Sequence, residues 1–597
     1  MRDYALQQFA GAIGSLGSQY VLEVKAVNCQ SGDTLGEEQV TAASKENVLD
    51  VLGEAASKLR GELGESLATV QKFDVPLEQA TTPSLEALKM FSLGIKAFRE
   101  KGAAADLPFS QHAVELDPNF AIAYLEVGVD YLNLGEVGRA REYFSKAFQL
   151  REHASEREKL RIIAEYYRNV TGELDKAAQT YQMEIESYPR RGGVYNNLGI
   201  VYGDQGQYEK AMEMTRQALR LAPALVADYD NLANFALALK RFDEARQIVH
   251  EAQARKGDDF VLHGVIYALA FVEANSPAMA EQQQWFAGKP EFENFGLAFA
   301  SDTEACGGHL GKARELTKRA VDSAIRADSK EAGAIWQANA ALQQAAYGNT
   351  TESRRTAAEA LKLAPTSQGV EVETALAFAM AGDTVRAESL AQDLRRRFPL
   401  DTQMQLLWLP AIHAQLALDR KNPASALQAA SPIELGEISF VNNISCLYHV
   451  YVRGEAYLAA GQGTAAAVRV SEDPRPQRHR LELLDGSLGA SGSSSCERLA
   501  VENRAGSGCR CRPRPGTRRL QRFPHALERR RPRHPHPEAS PSGVREAALA
   551  SRSGPAPRAS WIARGSRTDL ASTRENTNRE TRETPFAHCG CRSRQLL

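Results

Sequence analysis

From about Leu85 onward, apolar positions fall at helical spacing in short stripes separated by Gly- or Pro-bearing turns, and the pattern returns after about 34 residues. Two stretches show the unit best, YLEVGVDYLNLGEVGRAREYFSKA and YNNLGIVYGDQGQYEKAMEMTRQALRLAP. Tyr124, Val127, Gly128, Tyr131, Gly135, Ala140 and Ala147 of the first align with Tyr195, Leu198, Gly199, Tyr202, Gly206, Ala211 and Ala218 of the second, and Thr215 stands where the first has Phe144. Small residues at Gly128 and Ala140 let two helices approach closely, the aromatics fill the space between units, and Pro223 stops the second helix. The small residue of the second helix recurs at Ala140, Ala177, Ala211, Ala245, Ala280, Ala313, Ser353, Ala387, Ala426 and Ala466. Successive gaps are 37, 34, 34, 35, 33, 40, 34, 39 and 40 residues. A more degenerate unit runs from Leu85 to Pro118, with Asp106 in the small-residue place. The pattern predicts an all-α solenoid of ten or eleven helix pairs over 76–467, with a bend or break at the insertions after Ala313 and Ala387.

Upstream the periodicity changes. Residues 19–43 alternate apolar and polar positions on both sides of a Ser-Gly-Asp turn, which predicts a β-hairpin. Residues 44–64 follow as an amphipathic helix with Val48, Val51, Leu52, Ala55, Leu59 and Leu63 on one face. The segment KFDVPLEQATTP then links this ββα element (1–75 with its linker) to the array, with Thr82 as the expected N-cap and Pro83 at the first helical position.

The 34-residue unit, with its small and aromatic residues at fixed places, resembles the tetratricopeptide repeat (TPR). The ββα element resembles the second half of the TolB-like N-terminal domain of bacterial regulators. The order hairpin, helix, QATTPSLEAL, then repeats containing LDPNFAIAY, ASEREKLRI, VTGELDKA and RRFPLDT is similar to the C-terminal region of eukaryotic-like serine/threonine protein kinases of soil bacteria such as acidobacteria. That resemblance covers residues 11–467 and implies a sensing or interaction region that follows a kinase domain. The kinase motifs themselves are absent from this sequence: GAIGSLG and GGHLGK both fail the spacing of phosphate-binding loops. A catalytic role would therefore belong to a longer product of which this chain is an incomplete part.

Composition divides the chain in two. Residues 468–597 hold 26 Arg, no Lys and 13 acidic residues, whereas residues 1–467 carry 46 basic and 61 acidic side chains. The acidic body favours basic protein partners and disfavours nucleic acid. Its three cysteines, Cys29, Cys306 and Cys446, do not make a disulfide framework. With no apolar run of membrane-spanning length and no signal-like start, the chain as written is expected in the cytoplasm; the kinase resemblance implies the alternative of an extracytoplasmic portion of a membrane-anchored enzyme.

Candidate chemistry is sparse, and no cofactor or metal is expected. Asn196, Asn197, Asp204, Asp230, Asn231 and Asn234 lie on first helices of adjacent units, where a peptide could be held in the groove; a structural role, hydrogen-bonding the neighbouring backbone, competes with that reading. With Ile162 and Tyr166 at two positions of the preceding unit, a clamp for C-terminal carboxylates is not supported. His263, His309, His413 and His449 stand apart at no metal-ligand spacing and read as packed or solvated. The run Arg151–Arg161 reads as a solvated helix face.

The Arg/Pro-rich tail admits an RNA-binding arm, a metal site or a displaced reading frame. Its CRC and HCGC groups do not give paired metal ligands. It lacks Lys, Tyr and Met, whose codons are A/T-rich, over 130 residues. A one-nucleotide offset yields array-like sequence over Val468–Gly492 and family-like terminal sequence over Gly516–Glu538. The tail is accordingly expected to be frameshifted and disordered, leaving the last repeat without its second helix.

Overall fold

The computed structural model describes residues 7–28, 31–64, 81–223, 225–255, 257–432 and 448–462. All of these fall within one compact unit, and the tail beyond 462, with Ala466, lies outside the described residues.

The N-terminal element has one strand more than the hairpin and helix expected. Strands β1 (Gln7–Leu16), β2 (Gln19–Asn28) and β3 (Thr34–Ala42) form an antiparallel sheet in the order β1-β2-β3. β1 pairs with β2 from Gln7↔Asn28 to Leu16↔Gln19, joined by a tight turn at Gly17, whose φ of 66° suits glycine. Gly11 and Gly14 disguise this strand, because glycine is depleted in strand interiors. Helix α1 (Val48–Glu62) covers β2 and β3: Tyr20, Leu22, Val24 and Ala26 alternate onto the helix side and meet Val48, Val51, Leu52, Leu59 and Leu63.

Thr82 is not the cap. Ser84 caps helix Leu85–Lys101 by accepting from the Ala87 N–H at 3.2 Å, while the Thr82 hydroxyl accepts from Ser84 N–H and bonds Asp117.

From Leu85 the described chain is a TPR-like solenoid of helix pairs, each helix packed on the next in sequence. First helices also touch first helices of neighbouring units, as in Val226–Ala238 with Phe260–Val272 and Lys330–Ala346 with Gln368–Met380, and so make a continuous layer. The small-residue rule holds at Ala140, Ala177, Ala211, Ala245, Ala313, Ser353, Ala387 and Ala426, all at 2 % exposure or less. It fails at Ala280, which is exposed: helix Ser276–Phe286 turns Gln282 and Phe286 inward, and Phe286 packs against Gly296 instead. In the degenerate first unit Asp106 is fully buried and faces Gly94, where a Cβ would lie 2.2 Å from its carboxylate. Gly94 thus makes room for a polar group where other units place a methyl.

The insertions do not break the array. After Ala313 the extra length goes into 17-residue helices, Leu310–Arg326 and Lys330–Ala346, where neighbouring units use 13 or 14. After Ala387 it goes into a π-turn, Met404–Trp408, that runs into helix Leu409–Asp419. The 37-residue spacing after Ala140 is absorbed the same way, by a π-turn at Tyr167–Thr171.

Candidate functional site

The first-helix layer carries a row of polar side chains, most of them buried. Helix Gly192–Asp204 places Asn196 and Asp204 inward, with Asn197 more exposed beside them. Asn231 on the next first helix donates to the Asn196 Oδ1 at 3.2 Å, so these two residues are brought together. Asp230 and Asn234 sit one turn apart on helix Val226–Ala238, and one oxygen of each, Asp230 Oδ1 and Asn234 Oδ1, is buried with no hydrogen-bond partner. Burial, and a hydrogen bond shared with Asp259, push the Asp230 carboxyl up to about 10. Asp204 is otherwise engaged: Arg168 donates to it at 2.7 Å, and burial still raises its carboxyl against that pair.

Several residues of this row are not legible as site residues from the sequence. Arg161 donates to Glu126 of the preceding first helix at 2.6 Å, so the end of the charged run 151–161 is an inter-repeat contact rather than a solvated face. Glu165 accepts from the Tyr181 hydroxyl at 2.6 Å. Arg161, Glu165 and Arg168 recur at helical spacing, and that periodicity of charge is the available signal. Asp228 is 2 % exposed with Oδ2 unpartnered, and burial raises its carboxyl to about 7. Asp130 is fully buried with neither oxygen paired; burial first, then the Asp106 and Glu126 carboxylates, push it up to about 10. The layer therefore holds several buried carboxyl and amide oxygens without partners of their own.

A second polar cluster lies where the two π-turns meet. The side chain of Glu136 accepts from the Glu331 N–H at 2.8 Å, and the side chain of Glu331 accepts from the Gly138 N–H at 2.7 Å. Glu136 precedes helix Val137–Gln149 and Glu331 lies in the first turn of helix Lys330–Ala346, so each carboxylate caps the other's helix across 195 residues of sequence. Arg139 pairs with Asp328 at 3.0 Å beside them. Arg141 donates to the Asn169 carbonyl at 3.2 Å and to Gln368, and its guanidinium lies 4.9 Å from the centre of the Phe398 ring. The Thr402 N–H donates to the Gly172 carbonyl at 3.0 Å, and Gln403 donates to the Asp204 carbonyl at 2.7 Å. At Gly172, with φ of 70°, a Cβ would lie 2.4 Å from Asp401. A cavity remains between the two sides, lined by Arg141, Asn169, Gln368, Asp401, Met404 and Trp408 among others. Burial raises Glu136 to about 7 against the opposing backbone hydrogen bond, and raises Glu331 as well.

The histidines divide as a packed or solvated reading expects. His449 is buried and held neutral, its value lowered to about 3, first by burial and then by Arg453. His309 is exposed beside Glu304, His413 accepts from Arg395 at 2.8 Å, and His263 stacks on Trp285 while bonding Asp258 and Gln282. Among the described residues no group of three or more His, Cys, Asp or Glu is placed to hold a metal ion, and no helix is long and apolar enough to cross a membrane.

Comparison with known proteins gives the repeat its name. A photosystem I assembly protein Ycf3 of Prochlorococcus marinus is 29% identical over 126 residues, covering 19% of this chain and 72% of that protein. Ycf3 of a Synechococcus species is 28% identical over 140 residues, 21% of this chain and 78% of its own. Among solved structures, Pseudomonas aeruginosa PilF aligns with 20% identity over 35% of this chain and 96% of its own, at a TM-score of 0.23. The sequence model of the tetratricopeptide repeat matches residues 194–225, the unit that carries Asn196, Asn197 and Asp204, so this chain contains that repeat within its solenoid of helix pairs.

Proposed function

We propose that this chain is a non-catalytic protein-binding module that receives a basic peptide or protein segment on its first-helix face. The observation that carries the reading is a pair of unsatisfied groups there: Asp230 and Asn234, one helical turn apart, each hold a buried oxygen without a partner, next to the Asn196–Asn231 pair. A ligand bearing Lys, Arg or amide donors would satisfy these atoms, and a buried donor-acceptor match is worth more than an exposed one. The relatives named for photosystem I assembly support a role in holding other proteins. Asn197 and Asp204 flank the same face and extend the proposed contact along it.

The test is a peptide array probed with the full chain, followed by affinity measurement on the best binders. Binders should be rich in Lys and Arg, and Asn234→Ala with Asp230→Asn should weaken them about tenfold or more while leaving the helical circular dichroism unchanged. Binding that ignores peptide charge, or survives the double substitution, refutes the reading.

The finer reading is that this module is related to the C-terminal region of a bacterial serine/threonine kinase and works in the cytoplasm. The order of sheet, helix, linker and array supports it. DNA sequence upstream of codon 1 and through codon 550 tests it, together with the displaced frame inferred for the tail: an uninterrupted frame there, with no kinase-like sequence upstream, rejects both.

A further inference from the structure

Contacts between residues nearly 200 positions apart are not required by a solenoid, in which each repeat needs only its neighbours. Here they join the starts of helices Val137–Gln149 and Lys330–Ala346, and, beside the two π-turns, Gly172 and Thr402. Both helix ends donate a backbone N–H to the other's carboxylate, and the arrangement is reciprocal: Glu331 N–H to Glu136, Gly138 N–H to Glu331. Glu136 and Glu331 are 5 % and 7 % exposed, so closing this contact removes two carboxylates from water and sets them facing each other.

We propose that this two-carboxylate clasp is a reversible closure, tightened by proton uptake, that regulates access to the first-helix face. The link to that face runs through one cavity, which Glu331, Gln403, Arg168 and Asp204 all line. Gln403 holds the backbone carbonyl of Asp204, whose side chain carries the Arg168 pair, so opening the clasp frees one end of the polar row. The regulatory part rests on the protein-binding reading above; the clasp itself does not.

The charges around the pair set the direction. From its own helix Arg139 approaches Glu136 at 3.7 Å, but that arginine is shared with Asp328. Arg141 faces Glu331 and Asp401 from the same helix, with Arg397 nearby, and the start of helix Gln368–Met380 contributes the uncharged Ser367 and Gln368. Burial outweighs these partners, and Glu136 sits at about 7 when closed. A group raised in the closed form contributes its full stabilisation below the ordinary carboxylate range and loses it as pH rises through about 7. Closure is therefore favoured at pH 6 and weakened at pH 8.5, by about tenfold for a carboxyl that titrates near 7.

Hydrogen–deuterium exchange on the full chain, corrected for the intrinsic pH dependence of exchange, reads this without any partner present. Peptides containing Gly138, Glu331 and Thr402 should exchange about tenfold faster at pH 8.5 than at pH 6, with Gly203–Asp204 following, while helix Phe260–Val272 stays unchanged. Glu136→Gln keeps the acceptor oxygen and removes the titrating group, so it should retain protection at both pH values. Equal protection of the wild-type clasp at the two pH values overturns the proposal. So does a pH response that survives in Glu136→Gln, or one shared equally by the reference helix. Should Glu136→Gln fail to fold, a wild-type exchange profile taken from pH 5 to 9 decides: protection of the Glu331 peptide should fall through a midpoint near 7, and a flat profile or a midpoint in the ordinary carboxylate range overturns the proposal. A responding clasp in a chain that captures no basic peptide would sink the binding reading alone.

Discussion

At Asp130 the cost of an unpaired buried carboxyl can be measured directly. Both oxygens lack partners, and the group is held protonated by burial and by Asp106 and Glu126. Its folded value of about 10 lies above the ordinary carboxylate value of 3.8, so folding takes up a proton between those limits. Stability from this residue is present below the ordinary range and falls as pH rises, with a slope of up to about 1.4 kcal/mol per pH unit. Asp130→Asn should give a flatter profile in urea denaturation at pH 5, 6.5 and 8, and equal or higher stability at pH 8; an unchanged slope would reject the assignment. Residues of this kind are invisible in the sequence. Asn196, Asp230 and Asn234 can be placed on first helices from spacing alone, but whether an oxygen finds a partner depends on the neighbouring unit, as Asn231 reaching Asn196 shows. Arg161 escapes a local reading for the same reason, since its partner Glu126 lies 35 residues away.

Helix starts and packing contacts are more legible, because they are written locally. Ser155 and Glu158 form a reciprocal capping box at helix Glu156–Tyr166: Ser155 Oγ accepts from Glu158 N–H at 3.3 Å and Glu158 accepts from Ser155 N–H at 3.0 Å. This helix carries Arg161 and Glu165, so its start fixes the register of the polar row. Ser155→Ala should lower stability by about 1 kcal/mol, read as a shift in the thermal midpoint; no shift would mean the helix is held by packing alone. The repeat of small residues at 34-residue spacing locates eight buried contacts, from Ala140 to Ala426. It fails at Ala280, where helix Ser276–Phe286 is only 11 residues long and packs Phe286 into the place a methyl was expected to fill. β1 goes unseen for a different reason, since its glycines weaken strand propensity and only pairing with β2 over ten positions reveals it.

For the whole molecule, irregular repeat spacing is a trace in the sequence of the Gly172–Thr402 contact beside the clasp, and Glu136 and Glu331 themselves leave none. The gaps of 37 and 39 residues are readable as insertions, but a list of spacings does not say that two insertions touch. Their meeting fixes which parts of the chain share a load. Pulled from its two ends, a simple row of helix pairs would transmit force through every unit in turn. Here the bonds joining Glu136, Gly138 and Gly172 to Glu331 and Thr402 bridge the helices from Leu174 to Arg326, so tension entering at either end crosses the clasp and bypasses them. Single-molecule stretching should show a distinct early rupture that lengthens the chain before those helices unfold, at lower force at pH 8.5 than at pH 6. Sequential unfolding with no such step would mean the bypass carries no load. With it, this array works as a mechanical fuse, with its middle repeats kept slack until the fuse gives way.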